Sequence, residues 1–298
     1  MTSAPPASEP PAAVPTVAAL RDDAVALLGR AGIADPSVDA ELLIGHVLDR
    51  RRGEVQALAI TAAPVSETDA ATIRSLVERR ATREPLQHIT GLAPFRSLEL
   101  AVGPGVFVPR PETEGVAQIA IDALYATSSP EPIGVDLGTG SGAIALAMAT
   151  EVPHARVVAV ENSPEAFIWA RRNADAIAAP NLRMVFDDLE NALHDLDGTV
   201  SVVVSNPPYI PQDAVPRDPE VRLFDPAHAL YGGEDGFDVI RGVSRTARRL
   251  LVAGGALVIE HGEAQGAGIR ALLEADGWSA TATHRDLTLR DRTTTALR

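Results

Sequence analysis

Apolar positions follow two different periodicities along the chain. From Val17 to about residue 84 they recur at helical spacing, as at Leu42, Leu43, Val47 and Leu48. This pattern predicts helices over Val17 to Gly29, Val38 to Arg51 and Glu67 to Arg83, with a turn at Ala34-Asp35-Pro36 and breaks at Gly53 and Pro64. Residues 87–109 change to short alternating segments separated by Gly91, Pro94 and Gly103-Pro104-Gly105, which predicts a β-hairpin. Beyond Pro111, strand-length apolar runs alternate with helical ones, the signature of a parallel, doubly wound α/β sheet. Strands are expected near 133–137, 156–161, 183–187, 200–205, 255–260, 281–287 and 293–298, the last two as an antiparallel pair at an edge. The expected organisation is a helical domain over 17–84, a hairpin linker over 85–110 and a sheet domain over 111–298, preceded by an Ala- and Pro-rich tail over 1–16 that reads as disordered.

Two segments of the sheet domain carry candidate chemistry. Asp136-Leu137-Gly138-Thr139-Gly140-Ser141-Gly142 follows the first expected strand and opens a helix, so the loop backbone can approach a ligand closely. The next strand ends in Glu161, about twenty residues on, where a carboxylate can take both hydroxyls of a ribose. A nucleotide-like cofactor is implied. Asp136 suits a cationic amino-acid moiety better than a pyrophosphate, which favours S-adenosylmethionine over a nicotinamide.

The second segment is Asn206-Pro207-Pro208-Tyr209, at the end of the apolar run Val200 to Val204. Two consecutive prolines stiffen the corner, because each residue before a proline is pushed toward extended geometry and each ring fixes its own φ. The Asn206 side-chain oxygen and the Pro207 carbonyl can then both accept from one planar NH2 group, with the Tyr209 face beside it. This corner and the glycine turn both fall on the carboxyl edge of the sheet, where open α/β folds bind ligands. Taken alone, these residues indicate an amino-group or amide methyltransferase.

Further motifs carry a resemblance. Gln87-His88-Ile89-Thr90-Gly91, then Phe107-Val108-Pro109-Arg110-Pro111-Glu112-Thr113-Glu114, Gly232-Gly233-Glu234-Asp235-Gly236 and Glu260-His261-Gly262 join the two segments above. From about Val17 onward the chain resembles the PrmC/HemK glutamine methyltransferases of peptide chain release factors. The resemblance implies a seven-stranded Rossmann-like, S-adenosylmethionine-dependent methyltransferase sheet with a small N-terminal helical domain that recognises the substrate. It implies that Asn206, Pro207 and Tyr209 act in catalysis and, with Pro208, hold the glutamine. Asp136, Gly138 to Gly142, Glu161, Asp188, Leu189 and Asn206 would hold the cofactor. At the end of the third strand Asp187-Asp188 reads either as a contact to the adenine amino group or as a backbone cap. Leu189 departs from the aromatic that often stands there. Glu112 and Glu114 also read as acids favoured at a helix N-terminus, and His261 as a capping or core histidine.

Composition narrows the substrate. A net charge of −14 argues against nucleic acid, whose sequence-independent binding rests on basic side chains. Arg50-Arg51-Arg52 is the one basic run, and it reads as a solvated helix end. This weakens the alternative of an adenine methyltransferase acting on DNA or RNA. Intact Asn206 and Glu161 weaken that of a non-catalytic nucleotide-binding adaptor. With no cysteine, neither disulfides nor thiolate metal sites are available, and the histidines show no metal spacing. The absence of a basic, signal-like start and of any long apolar run implies a cytoplasmic protein without membrane contact.

Overall fold

A computed structural model describes residues 14–298. The chain divides into two compact units between Thr90 and Gly91.

The first unit comprises α1 (Val17–Arg30), α2 (Pro36–Leu48), α3 (Arg52–Ile60), α4 (Glu67–Ala81) and the short α5 (Leu86–Thr90). Leu20, Leu28, Leu43, Ile44 and Ile73 form its core. Residues 14–16, expected in the tail, are ordered instead. Pro15 accepts from the Val65 backbone N–H at 2.8 Å, and the Thr16 side chain caps α1 by accepting from Ala19 N–H at 3.2 Å. The rest of that expected tail lies outside the described residues. The Arg50-Arg51-Arg52 run is exposed past the end of α2, as expected of a solvated helix end, but two of its residues also start the next helix. Arg51 caps and Arg52 opens α3, an N-terminus, where the helix dipole disfavours cations. A buried carboxylate explains the position. Glu41 accepts from Arg21, Arg52 and Gln56, each at 2.8 Å. Burial raises its pKa, but these bonds outweigh that and hold it below the ordinary carboxylate value.

The second unit begins with the hairpin β1 (Leu92–Phe95) and β2 (Leu98–Ala101). It continues through α6 (Thr113–Ala126), β3 (Ile133–Leu137), α7 (Ala143–Glu151), β4 (Arg156–Glu161), α8 (Pro164–Ile177), β5 (Leu182–Phe186) and β6 (Val200–Ser205). Then follow α9 (Pro219–Phe224), α10 (Asp238–Leu250), β7 (Leu251–Glu260), α11 (Gly266–Ala275), β8 (Ser279–Arg285) and β9 (Asp291–Leu297). The expected linker 85–110 is thus split, α5 belonging to the first unit and the hairpin to the second. Asn173 on α8 exchanges hydrogen bonds with both backbone groups of Ala101, at 2.7 and 3.0 Å, and donates to Ser141 O at 2.9 Å. One buried amide therefore ties the hairpin to the glycine loop.

Seven strands form one sheet in the order β5-β4-β3-β6-β7-β9-β8. The first five are parallel, and β9 runs antiparallel between β7 and β8. β3, β4 and β6 are almost wholly buried and carry continuous apolar runs, as strands covered on both faces do. Leu124, Leu146 and Met148 from α6 and α7 pack one face. Ile240, Leu250, Ile269 and Leu273 from α10 and α11 pack the other. The chain runs outward from β3 through β4 and β5, then crosses back to β6. That reversal between β3 and β6 opens a crevice at their carboxyl ends, the place where such sheets take ligands.

Candidate active site

The crevice is a cavity of about 910 Å³ that carries residues of both sequence segments. On the β3 side, Val160 O accepts from both Gly138 N–H and Thr139 N–H at 2.9 Å, and Thr139 O accepts from Gly142 N–H at 2.9 Å. Gly138, Gly140 and Gly142 have φ of 74°, 58° and 87°, the left-handed region in which a side chain is strained. No atom lies within 4 Å of where a Gly140 Cβ would stand, so the loop presents bare backbone to the cavity. Gly138, Thr139, Gly140 and Ser141 line it, and Gly142 sits behind as the cap of α7.

Asp136 lies behind the loop, 1% exposed, rather than facing the cavity. Its Oδ2 accepts from Thr139 Oγ1 at 2.6 Å and from Ala145 N–H at 3.2 Å, and its Oδ1 is buried with no partner. Burial pushes this carboxyl up to about 7 against those two bonds, and Glu161 pushes in the same direction. A buried carboxyl with a free oxygen under an open glycine turn is the environment a cationic ligand group would relieve.

Glu161, at the end of β4, lines the cavity and also braces the loop. Its Oε2 accepts from Gly140 N–H at 2.8 Å, and its Oε1 from Asn162 and Ser163 N–H at 3.0 and 2.9 Å. Leu189 lines the cavity, but Asp188 does not. Asp188 caps Glu190 N–H at 2.9 Å and accepts from Asn162 Nδ2 at 3.1 Å. The capping role is the one seen. Asn162, which it holds, lines the cavity and was not singled out in the sequence, although its place directly after the strand-ending acid could have suggested it.

On the β6 side, Asn206, Pro207, Pro208 and Tyr209 all line the cavity. Three other motifs support this corner. Asn206 Nδ2 donates to Thr113 Oγ1 at 3.4 Å, and Thr113 is the first residue of α6. Tyr209 O accepts from Gln265 Nε2 at 2.8 Å, and Gln265 Oε1 accepts from Gly262 N–H at 2.9 Å. A Cβ on Gly232 would stand 2.4 Å from Pro208 O, and one on Gly236 2.4 Å from Tyr209 O, so only glycine lets these segments approach the corner. His261 is fully buried. Its Nδ1 faces Gly262 O at 2.8 Å, which only accepts, so Nδ1 carries the proton and Nε2 accepts from Thr294 Oγ1 at 2.9 Å. Burial lowers its pKa, so it is a neutral structural histidine. Burial likewise pushes the Tyr209 hydroxyl up to about 12, with Glu260 adding and Arg292 opposing.

Arg110 completes the rim. It donates to buried Asp225 Oδ2 at 2.6 Å and lies over the Phe107 ring at 4.8 Å. Burial pushes Asp225 up to about 6 even so, with Arg110 opposing.

Comparison with known proteins gives this geometry a family. A family profile described as the PrmC N-terminal domain matches residues 19–91, and one described as the methyltransferase small domain matches residues 98–234. The release factor glutamine methyltransferase of Streptomyces coelicolor is 51% identical over 271 residues, covering 90% of this chain and 93% of that protein. That of Bifidobacterium longum is 44% identical, covering 89% of this chain and 94% of that protein. A Streptomyces pristinaespiralis 4-amino-L-phenylalanine/4-methylamino-L-phenylalanine methyltransferase is 42% identical, covering 90% and 91%. Among solved structures, a T. thermophilus 16S rRNA methyltransferase in complex with AdoMet and guanosine superposes with a TM-score of 0.51 at 20% identity, covering 70% of this chain and 49% of that one, a likeness of fold. The chain belongs to the release factor glutamine methyltransferase family.

Proposed function

We propose that this protein transfers a methyl group from S-adenosylmethionine to the side-chain nitrogen of a glutamine in a peptide chain release factor. One observation carries the reading. The Asn206 and Pro207 acceptor corner and the bare glycine loop with Glu161 line a single cavity, so an amide nitrogen and a nucleoside-linked methyl group can meet there.

Glu161, Gly138 to Ser141 and Asn162 would hold the cofactor, with Asp136 beneath the loop offering an unpartnered carboxyl oxygen and Leu189 an apolar wall. Bound there, S-adenosylmethionine supplies an electrophilic methyl group on a sulfonium. The residues on the β6 side prepare the acceptor. An amide nitrogen is a poor nucleophile because its lone pair is delocalised into the carbonyl. Asn206 Oδ1 and Pro207 O, each accepting one N–H, orient that nitrogen in line and favour the positive charge it gains. Pro207 and Pro208 keep the two acceptors in register, and Tyr209 packs beside the amide plane and excludes water. No base need act first, since a methylated, protonated amide is strongly acidic and loses its proton after transfer.

The helical unit carries neither the glycine-loop nor the Asn-Pro-Pro-Tyr motif, and we assign it recognition of the protein substrate. The net charge of −14 supports a protein rather than a nucleic-acid substrate. Among the described residues no helix is long and apolar enough to cross a membrane, and the reading puts the enzyme in the cytoplasm with its substrate. Incubation with radiolabelled methyl donor and, in separate reactions, release factor, release factor with its candidate glutamine changed to alanine, RNA and 4-amino-L-phenylalanine tests the reading. Label in intact release factor alone is the expected result. Label in RNA or in the free amino acid alone would replace it.

A further inference from the structure

Glu260 is the last residue of β7 and is 2% exposed, and no step above uses it. Ser205 pairs with Ile259 across β6 and β7, so the next residues, Asn206 and Glu260, stand side by side at the carboxyl ends of these strands, Glu260 still paired with Thr293 of β9. Asn206 Nδ2 donates to Thr113 Oγ1 at 3.4 Å, and both side chains favour the ionised form of the Glu260 carboxyl, whose Oε2 is buried without a partner at bonding distance. The other charged groups facing it are Arg292 from β9, which also favours ionisation, and Glu112 from the start of α6, which opposes it. The Tyr209 hydroxyl lies within reach of its field.

A substrate NH2 needs two acceptors, but an asparagine side chain can present either its oxygen or its nitrogen. With Nδ2 turned to the cavity, donor would face donor and the grip would be lost. An ionised carboxylate accepts only, so it selects Nδ2 inward. We propose that Glu260 is a positioning residue for the transfer reaction, drawing the Asn206 amide nitrogen inward with Thr113 and so fixing Asn206 Oδ1 toward the cavity as an acceptor for the substrate amide. The proposal rests on the reading of function given above.

Burial pushes the Glu260 carboxyl up to about 7. Below that pH it carries a proton and can donate to Asn206 Oδ1, favouring the unproductive orientation. Turnover therefore rises with pH through about 7.

Glu260→Gln keeps the shape and removes the titration. Expected are a fall in kcat of about tenfold, the order of one weakened preorganised hydrogen bond, and the loss of the acid limb of the kcat profile. The dissociation constant for S-adenosylhomocysteine should stay within about twofold, because the glycine loop and Glu161 are untouched. Wild-type kcat and an unchanged profile in Glu260→Gln would overturn the proposal. A second readout needs no activity. In ¹⁵N-labelled protein, the Asn206 side-chain NH2 signals, assigned by their absence in Asn206→Ala, should titrate with a midpoint near 7 in the wild type and stay flat in Glu260→Gln. Flat wild-type signals between about pH 5.5 and 8.5 would overturn it independently. If the wild type labels no release factor, the functional reading fails, while the NMR titration still decides the role of Glu260.

Discussion

Gln265 donates its side-chain amide to the main-chain carbonyl of Tyr209 across 2.8 Å, joining the loop after β7 to the corner after β6. The bond acts on the backbone of the corner, and Gln265 itself lines the cavity. Gln265 also accepts from Gly262 N–H, so the corner is held from the same turn that His261 stiffens.

Gln265→Leu keeps the bulk and removes both bonds. The expected cost is roughly 1 kcal/mol in stability for each bond lost. A slackened Asn206 and Pro207 pair should also lower the single-turnover rate about tenfold, since small misplacements of orienting groups are expensive. Thermal unfolding and rapid-quench labelling measure the two separately. A stability loss with an unchanged rate would make the bond structural only.

Glu161 has two tasks in the structure, facing the cavity and receiving three backbone N–H groups. Glu161→Ala should therefore weaken S-adenosylhomocysteine binding by at least tenfold, through lost charge-assisted bonds of about 1.5–3 kcal/mol each and through a looser Gly140 turn. Glu161→Gln retains one acceptor oxygen and should lose less. Calorimetric titration ranks the three proteins, and an unchanged dissociation constant in Glu161→Ala would remove it from the site.

Asp136 makes stability depend on pH in a definite direction. Its carboxyl is displaced by burial from 3.8 to about 7, so between those values the folded state holds a proton that the unfolded state has released. Stability contributed this way is present at low pH and is lost as pH rises to about 7, by at most roughly 4 kcal/mol. Glu260, also displaced upward to about 7, and Asp225, to about 6, act with the same sign. Urea midpoints of the wild type should thus fall from about pH 5 to 7.5, and Asp136→Asn should flatten a large part of that slope. His261, held below its ordinary value by burial, acts with the opposite sign, so the comparison that decides is wild type against Asp136→Asn: an unchanged slope in the variant would show that Asp136 is already ionised in the native protein.

The strands were legible in the sequence where both faces are buried, because β3, β4 and β6 then read as unbroken apolar runs bounded by glycine or acid. β7 begins at Leu251, ahead of the expected 255, because Gly254 and Gly255 break the apolar run there and the pairing shifts register between Val200 and Val202. α3 was missed because Gly53 reads as a breaker. The helix forms because Glu54 Oε2 accepts the Arg51 N–H at 2.9 Å and Arg52 reaches Glu41, a partner that periodicity cannot reveal. The site divides in the same way. The glycine turn and the proline corner are contiguous and were visible as motifs. Glu260, Thr113, Gln265 and Asn162 matter through contacts between distant segments, and the burial of Asp136 behind the loop is not legible in its place near the end of a strand.

Asn206 and Tyr209 separate grip from packing within one corner. Asn206→Ala removes an acceptor that matters most while the amide nitrogen gains charge, so turnover should fall by a factor on the order of 10² to 10³. Affinity for S-adenosylhomocysteine should change little, because the loop backbone and Glu161 are untouched. Tyr209→Phe tests the opposite expectation. The hydroxyl stands in the field of the half-buried Arg292, so its loss should cost about 1 kcal/mol of stability. The ring remains against the substrate plane, so the transfer rate should stay within about threefold, the scale of an indirect effect. Single-turnover rates of both variants at saturating cofactor and release factor decide the matter. Near-normal transfer by Asn206→Ala would remove the acceptor corner from the mechanism, and a collapse in Tyr209→Phe with intact folding would give its hydroxyl a direct part.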